Sequence, residues 1–507
     1  MAVGVSTLEI DQILKLDYQG PIREQLINKN VLLSLLKRDY SRGTFQGLKS
    51  VIPMHVGRNI GRGWRQEDRI IPPAGQQSHA QVFFHMAYLY GRIGITGQAI
   101  AVSRNDKGAF ARALDIEMRG LVTDLAITMQ KACWSDGSGR LTDLCGVGTD
   151  TTDVANINKS GKKKIQVNSG RWVEKGAPVF VALRSGVSSG GADKMFPFGA
   201  QTAGSGGPVP ALHVVGKTSD STIFDTNNHA TKDQGATIEL DVAANHVLGS
   251  TGAVTDAANY SLYSYGSRDI GTLTIGAGGA LPADHTAWTT PTEMWGLQAL
   301  VSDANPSFHT DANASYRSKL GLIGEMDRTD ADNSYWKANV VDNNFVEVDN
   351  KFDKFQEAYD LSEIQGDFTP GLCLTSYRVR RKLADSFATN RRFGTEKDLK
   401  AGWTGLQFNN SLIVCDKDAH DVGDPRDGDC FGTAAADNQH FNDCYFLSRE
   451  AMHWTIMEDL SWEDTGGVIV REGVGALAKD RYEAYMKAYL NLVITEPKKF
   501  TVLKNVQ

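Results

Sequence analysis

The stretch DKDAHDVGDPRDGDC, residues 416 to 430, is the densest set of potential ligands in the chain: Asp416, Asp418, Asp421, Asp424, Asp427 and Asp429 stand close to His420 and Cys430. A calcium loop places ligands at alternate positions, glycine at the sixth and glutamate at the twelfth. Counted from Asp416, those two places hold Asp421 and Asp427, so a solvated acidic loop is the expected reading. His440 and Cys444 lie four apart, but two ligands do not make a zinc site, and the neighbouring YFL favours a strand. A phosphate loop needs glycines around a lysine at the start of a helix. NKSGKKK lacks the earlier glycine and IGAGGA leads into a turn, so both read as plain loops. Neither a G-x-S-x-G elbow nor an H-E-x-x-H helix occurs. No cofactor or metal site, and no local catalytic motif, emerges from the residues.

Two charged groups suggest contact rather than catalysis. Arg378, Arg380, Arg381, Lys382, Arg391 and Arg392 crowd one segment. On a helix most of them point away from Val379, Leu383 and Phe387, as an outer face or as a charged contact with a symmetry mate. A nucleic-acid patch ranks below these, because stacking aromatics are not interleaved. Arg62, Arg65, Glu67, Asp68 and Arg69 sit in the polar segment RGWRQEDRIIPPAGQQ beside Pro72 and Pro73. Mixed charges of this kind pair across an interface and set register when such a loop lies over a neighbour; the bland alternative is a solvated loop.

The elements that must hold these groups are of several kinds. The chain has 507 residues, 41% of them hydrophobic, and its net charge is −7. That length predicts two to four domains, and the acidic balance argues against a main task of gripping phosphates. No basic-then-apolar leader opens the sequence, and no window approaches about 18 uninterrupted apolar residues. Six cysteines without a CxxC do not form a disulfide framework, which fits folding in a reducing cytoplasm.

GPIREQLINKNVLLSLLKRD predicts a helix in an N-terminal arm. VFFHMAYLYGRIGITGQAIAV predicts strand, bend and strand, with the charged segment before it as the tip of a hairpin too long for its own core. Residues 107 to 134 predict a helix of about 40 Å. Phe110, Leu114, Met118, Leu121, Leu125 and Met129 form its wide apolar face, and Ala109, Ile116, Gly120 and Ile127 form a second stripe. Ser103 and Asp106 serve as a weak capping box, and SDGSG serves as the stop. Gly120 in a helix interior suggests the close approach of a neighbour, so this second stripe is a candidate contact with another subunit. From about 146 to 290 the chain predicts short strands between Gly-rich runs, a small all-β insertion. Beyond it, KFDKFQEAYDLSEI and SYRVRRKLADSFATNRRF predict helices, the second capped by Thr375, and two strand-rich segments close the chain.

These parts, in this order, resemble the major capsid protein of tailed bacteriophages, of the HK-ninety-seven-type fold that encapsulins share. The resemblance is carried by the arm, the charged hairpin (the family's E-loop) and the spine helix closing with WSDGSG. It continues in EMWGLQALVSD, DRTDADNSYWKANVVDN, PGLCLTSYRVRRKLADSFATNRRF, GLQFNNSLIVCDKDAHD and CYFLSREAMHWTIMEDLSW. It implies an α+β fold with an arm over 1–50, the hairpin over 51–100 and a peripheral domain with the spine helix over 101–145. After the β-rich insertion over 146–290 come linking and peripheral segments over 291–365, an axial domain over 366–445 and returning peripheral strands over 446–507.

What the resemblance implies is a structural protein, not an enzyme. Many copies, as hexamers and pentamers, form an icosahedral shell around double-stranded DNA held without sequence-specific binding, in a virion assembled in the host cytoplasm and without a membrane. The implied partners are a portal, a separate scaffolding protein unless an N-terminal segment has been removed, and in some members a decoration protein. Arg62, Arg65, Glu67, Asp68, Arg69, Ile116, Gly120, Ile127, Arg380, Arg381, Arg391 and Arg392 are its candidate inter-subunit contacts. Some members cross-link the hairpin lysine of one subunit to an asparagine of another. Here no lysine occurs between Lys49 and Lys107, so noncovalent joining is expected. The rivals are an encapsulin-like nanocompartment shell and a β-rich secreted hydrolase or adhesin.

Overall fold

The computed structural model describes residues 37–39, 45–46, 49–59, 61–98, 107–146, 161–167, 170, 172–183, 212–219, 236–242, 260–264, 293–306, 322–343, 352–377, 379–381, 383, 396–398, 404–409, 411–416, 418–419, 443–462, 470–471, 481–504 and 506. The expected arm helix, the capping pair Ser103 and Asp106, His420, Cys430, His440, Phe387, Arg378, Lys382, Arg391, Arg392 and the IGAGGA run lie outside them.

The described chain is an α+β assembly of four β systems and a few helices. β1 (Lys37–Asp39) leads to β2 (Phe45–Gln46), β3 (Lys49–Gly57) and β4 (Ser78–His85). β3 and β4 pair antiparallel from Lys49 opposite His85 to Gly57 opposite Ser78, which forms the expected hairpin with its tip between 58 and 77. A single residue, Met86, separates β4 from β5 (Ala87–Thr96). This is the expected bend, but β5 belongs to another sheet, so the projecting hairpin is shorter than the 51–100 expected.

Helix α1 (Lys107–Trp134) runs over the span its periodicity predicted. Its end is set by the SDGSG stop: the Ser135 amide donates to the Lys131 carbonyl at 3.1 Å, and Gly137 turns to φ +83°. A side chain at Gly137 would also collide with Trp295, since a Cβ there would stand 2.8 Å from its ring.

β6 (Arg140–Gly146), β7 (Gly161–Val167), β8 (Pro178–Leu183), β9 (Leu212–Ser219), β10 (Ala236–Val242) and β11 (Tyr260–Ser264) follow. They close into a barrel in the order β10-β7-β6-β11-β8-β9, which removes every free edge. Val167, Val179, Val214, Ile238, Leu240 and Leu262 are buried, as alternation along short strands requires. The all-β insertion therefore begins at Arg140 rather than 146, because β6 pairs with both β7 and β11. Gly161–Lys164 of NKSGKKK lie in β7, not in a loop, paired with Leu240 to Val242 among others. The start of the first barrel strand and the end of the last are joined: the Ser264 amide donates to the Gly139 carbonyl at 2.9 Å.

After α2 (Leu297–Leu300) come β12 (Asn339–Asp342), α3 (Phe352–Gly366), β13 (Leu372–Thr375), β14 (Glu396–Asp398), β15 (Thr404–Phe408), β16 (Ser411–Cys415) and β17 (Cys444–Leu447). β18 (Met452–Trp462), β19 (Val470–Arg471), β20 (Arg481–Ile494) and β21 (Thr501–Lys504) complete the chain. One seven-stranded sheet has the order β12-β21-β17-β13-β16-β15-β14. It takes in β12 and β21, from outside the 366–445 expected for one domain, because β12 runs parallel to β21 and β21 pairs with β17. A five-stranded sheet has the order β1-β18-β20-β19, with β5 also on β20.

The helical residues after Ser376 have Val379 and Leu383 buried, as their spacing predicted. Their cap is not Thr375, which ends β13 and points its hydroxyl at the Asp443 carbonyl, 3.3 Å away. Ser376 takes the role instead, its Oγ accepting from the Val379 amide at 3.4 Å. Among the described residues no helix is long and apolar enough to cross a membrane.

Candidate functional site

The tip of the β3–β4 hairpin is built to be presented. Asn59 ties its two sides together: its Oδ1 accepts from the Gly61 amide at 2.6 Å and its Nδ2 donates to the Gly75 carbonyl at 3.0 Å. Arg65 bends back on the loop, donating through Nη1 to the Trp64 carbonyl at 3.0 Å and through Nε to the Ile70 carbonyl at 3.2 Å. Asp68 turns the chain with φ 59°, a left-handed conformation that aspartate tolerates better than most residues. With the backbone held this way, Trp64 is 100% exposed, Ile70 89% and Ile71 79%. Arg62, Glu67, Asp68 and Arg69 are exposed beside them, and among the described residues none of these four forms an ion pair. The sequence singled out the charges. It missed the apolar triad between them, whose signal was a tryptophan and an Ile-Ile pair in an otherwise polar loop.

The base of the hairpin is an ionic clamp. Glu325, itself at φ 58°, receives Lys49 of β3 in a close ion pair and His85 of β4 at 2.9 Å. Burial pulls the His85 pKa down, and the bond to Glu325 only partly restores it. Burial alone would raise the Glu325 pKa, but the bonds from Lys49 and His85 outweigh it and lower it.

The five-stranded sheet has two unlike faces. On one, Leu89 packs into the core, and Gly91 is approached so closely by the helix that a Cβ there would stand 2.8 Å from both Leu121 and Leu125. The other face carries tyrosines. Tyr88 lies opposite Tyr489, Tyr90 opposite Lys487 and Arg92 opposite Tyr485 in the β5–β20 ladder. Tyr489 meets the rings of Tyr88 and Tyr90 edge-on at 5.1 and 6.0 Å, and Lys487 stands over it at 5.6 Å. The Tyr90 and Tyr489 hydroxyls are hydrogen-bonded at 3.3 Å, and this bond is the main cause that pushes the Tyr489 pKa up to about 12. Arg92 pairs closely with Glu483, and Lys487 pairs with Glu458 at 3.2 Å.

The far end of α1 forms a joint that the sequence reading did not foresee. Asp416 is fully buried; its Oδ2 accepts a close bond from Gln130 and one of 3.2 Å from Trp134 Nε1, and its Oδ1 accepts from the Asp418 amide at 3.1 Å. Trp172, between β7 and β8, donates to the Asp418 carbonyl at 3.1 Å, and Lys131 joins the Trp172 carbonyl and Glu174, each at 3.0 Å. The start of the acidic stretch is thus not a solvated loop. Its first two carboxylates are buried where helix, seven-stranded sheet and barrel meet. Burial, with the nearby Asp416 and Asp418, pushes the Cys133 thiol well above its ordinary pKa.

The second helix stripe divides. Gly120 is half-buried, and among the described residues nothing stands within 4 Å of an added Cβ there. Ile127 is only 1% exposed, because the last turns of the helix enter the body and are covered on all sides. It is therefore removed from the surface candidates. Ile116 lies in α1, about one turn before Gly120. Arg380 is half-buried and Arg381 exposed on the outer side of their helical turn. Among the described residues no cluster of three His, Cys, Asp or Glu side chains is placed to hold a metal.

No protein-family model and no curated protein matches the chain. Solved structures similar to it include the capsid asymmetric unit of cyanophage A-1(L), at 8% identity and a TM-score of 0.47, covering 99% of each chain. The capsid of Myoviridae phage XM1 is similar at 7% identity and a TM-score of 0.39, covering 100% of each chain. The holo-SrpI encapsulin complex from Synechococcus elongatus is similar over 33% of this chain and 53% of that one, at 11% identity and a TM-score of 0.23.

Proposed function

We propose that this chain is a shell-building protein, the major capsid protein of a tailed bacteriophage with the HK-ninety-seven-type fold. In this reading, copies associate as hexamers and pentamers into an icosahedral shell that encloses double-stranded DNA, with a separate scaffolding protein, a portal and no catalysis of its own. The observation that carries it is the β3–β4 hairpin: a braced ribbon, clamped at its base by Glu325, that holds Trp64, Ile70 and Ile71 in the open. An apolar tip held out in this way makes sense on a subunit whose partner is another subunit. Such contacts are individually modest and add up across a closed assembly. Arg62, Glu67, Asp68 and Arg69 on the tip, Gly120 on the helix and the Arg380–Arg381 turn are the further contact candidates.

With no lysine between Lys49 and Lys107, the contacts are noncovalent; a ladder of cross-linked species after boiling mature particles in detergent would refute that point. Electron microscopy of the expressed protein tests the reading as a whole. Shells, tubes or capsomers are expected, with nuclease-protected DNA rather than an enzyme inside native particles. Strictly monomeric material under all assembly conditions would sink it.

A further inference from the structure

Two histidines stand opposite each other on the hairpin, well beyond the clamp at its base. His55 of β3 is the direct cross-strand partner of His79 of β4, and both side chains are exposed. His55 lies six positions along β3 from Lys49, so at about 3.4 Å per residue the pair sits roughly 20 Å out along the ribbon. Just past it the ladder bulges, Gly57 rather than Val56 standing opposite Ser78. A bulge re-aims the side chains beside it. The two ring centroids are 5.3 Å apart with an interplanar angle of 47°, an arrangement that is neither stacked nor edge-on.

We propose that His55 and His79 chelate one divalent metal ion of the zinc, nickel and copper class, its remaining positions filled by water. The separation fits. A metal about 2.1 Å from one nitrogen of each ring lies roughly 3.2 Å from each centroid, and a tetrahedral angle at the metal then sets the centroids about 5.2 Å apart. The tautomer fits as well. His55 Nε2 lies 2.6 Å from the carboxamide Oε1 of Gln77; an amide oxygen only accepts, so Nε2 holds the ring proton and Nδ1 keeps the lone pair that a metal needs. Metal-bound histidines are oriented by a hydrogen bond of this kind on the far nitrogen. Two protein ligands do not close a structural zinc site. They make an open chelate, and imidazole nitrogens favour zinc, nickel and copper over magnesium and calcium. Bound there, the ion ties β3 to β4 between the Glu325 clamp and the Asn59 brace.

The test uses the full, unassembled chain and Zn2+ alone, so its outcome is separate from that of the shell reading. Hydrogen exchange is read peptide by peptide, because the chain has 11 histidines and the effect must be placed among them. With Zn2+ at about ten times the dissociation constant of the site, exchange of the β3 and β4 amides is expected to slow about ten-fold. His55→Gln and His79→Gln are each expected to abolish that slowing while leaving metal-free exchange outside the hairpin unchanged. Gln77→Leu, which keeps both imidazoles but releases the tautomer, is expected to need about ten-fold more Zn2+ for the same slowing. Wild-type protein whose hairpin amides do not respond to Zn2+ overturns the proposal, as does slowing that persists in either histidine variant.

Discussion

The indole nitrogen of Trp134, the last residue of the long helix, donates at 3.2 Å to the buried carboxylate of Asp416, at the end of a strand in the seven-stranded sheet. Through this one acceptor, which Gln130 also reaches, the helix is fastened to the sheet. Replacing Asp416 with alanine leaves buried donors without their acceptor, at a cost of about 3 kcal/mol. Trp134→Phe removes one donor only and costs about 1 kcal/mol. Urea unfolding followed by tryptophan fluorescence orders the two; equal stability of Asp416→Ala and wild type would contradict the role given to the carboxylate.

Gly91 is where helix and five-stranded sheet come closest. Gly91→Ala forces the Leu121 and Leu125 methyl groups to shift from positions 2.8 Å away and is expected to destabilise by about 1 kcal/mol, Gly91→Val by about 3 kcal/mol. Thermal melting of the two variants against wild type checks the order and the direction.

Acid should loosen the hairpin at its base. His85 has a folded pKa below its ordinary 6.5, so the stability it contributes is present above that value and is lost as pH falls through the folded pKa. Glu325 is likewise lowered from 4.5, which adds a second loss at more acidic pH. Hydrogen exchange of the β3 and β4 amides is expected to speed up in two stages below pH 6.5. His85→Gln should abolish the first stage and keep the second; a variant that retains both would refute the assignment.

Arg65 braces the tip from within, through the Trp64 and Ile70 carbonyls. Arg65→Ala frees the Trp64 and Ile70 carbonyls, and losing about 1 kcal/mol of local order corresponds to roughly five-fold faster cleavage after Trp64 by chymotrypsin. Unchanged cleavage would mean that the loop is held by other contacts.

Much of the architecture was legible because its signals are local. The spacing of Leu121, Leu125 and Met129, with SDGSG after them, was enough to bound the helix. The alternation of Ala484, Met486 and Ala488 against Tyr485, Lys487 and Tyr489 assigned the two faces of β20. What escaped depends on contacts distant in sequence. Nothing near Asp416 says that it will be buried, because Gln130 and Trp134 lie more than 280 residues earlier. Ile127 has the same spacing as the open stripe, and only the covering of the helix end by the rest of the chain distinguishes it from Gly120. Arg65 and Arg69 are alike in sequence, and the turn at Asp68 separates their roles.

Gly139 and Ser264, at the two ends of the described barrel strands, are bonded to each other through their backbones. A second tie, from Trp172 to the Asp418 carbonyl, fastens the same module beside the end of α1. Strands and loops remote from these two ties could lengthen, and the spacing between helix and sheets would not register the change. In the proposed shell, variation of this kind would alter what a particle displays without altering how large it is.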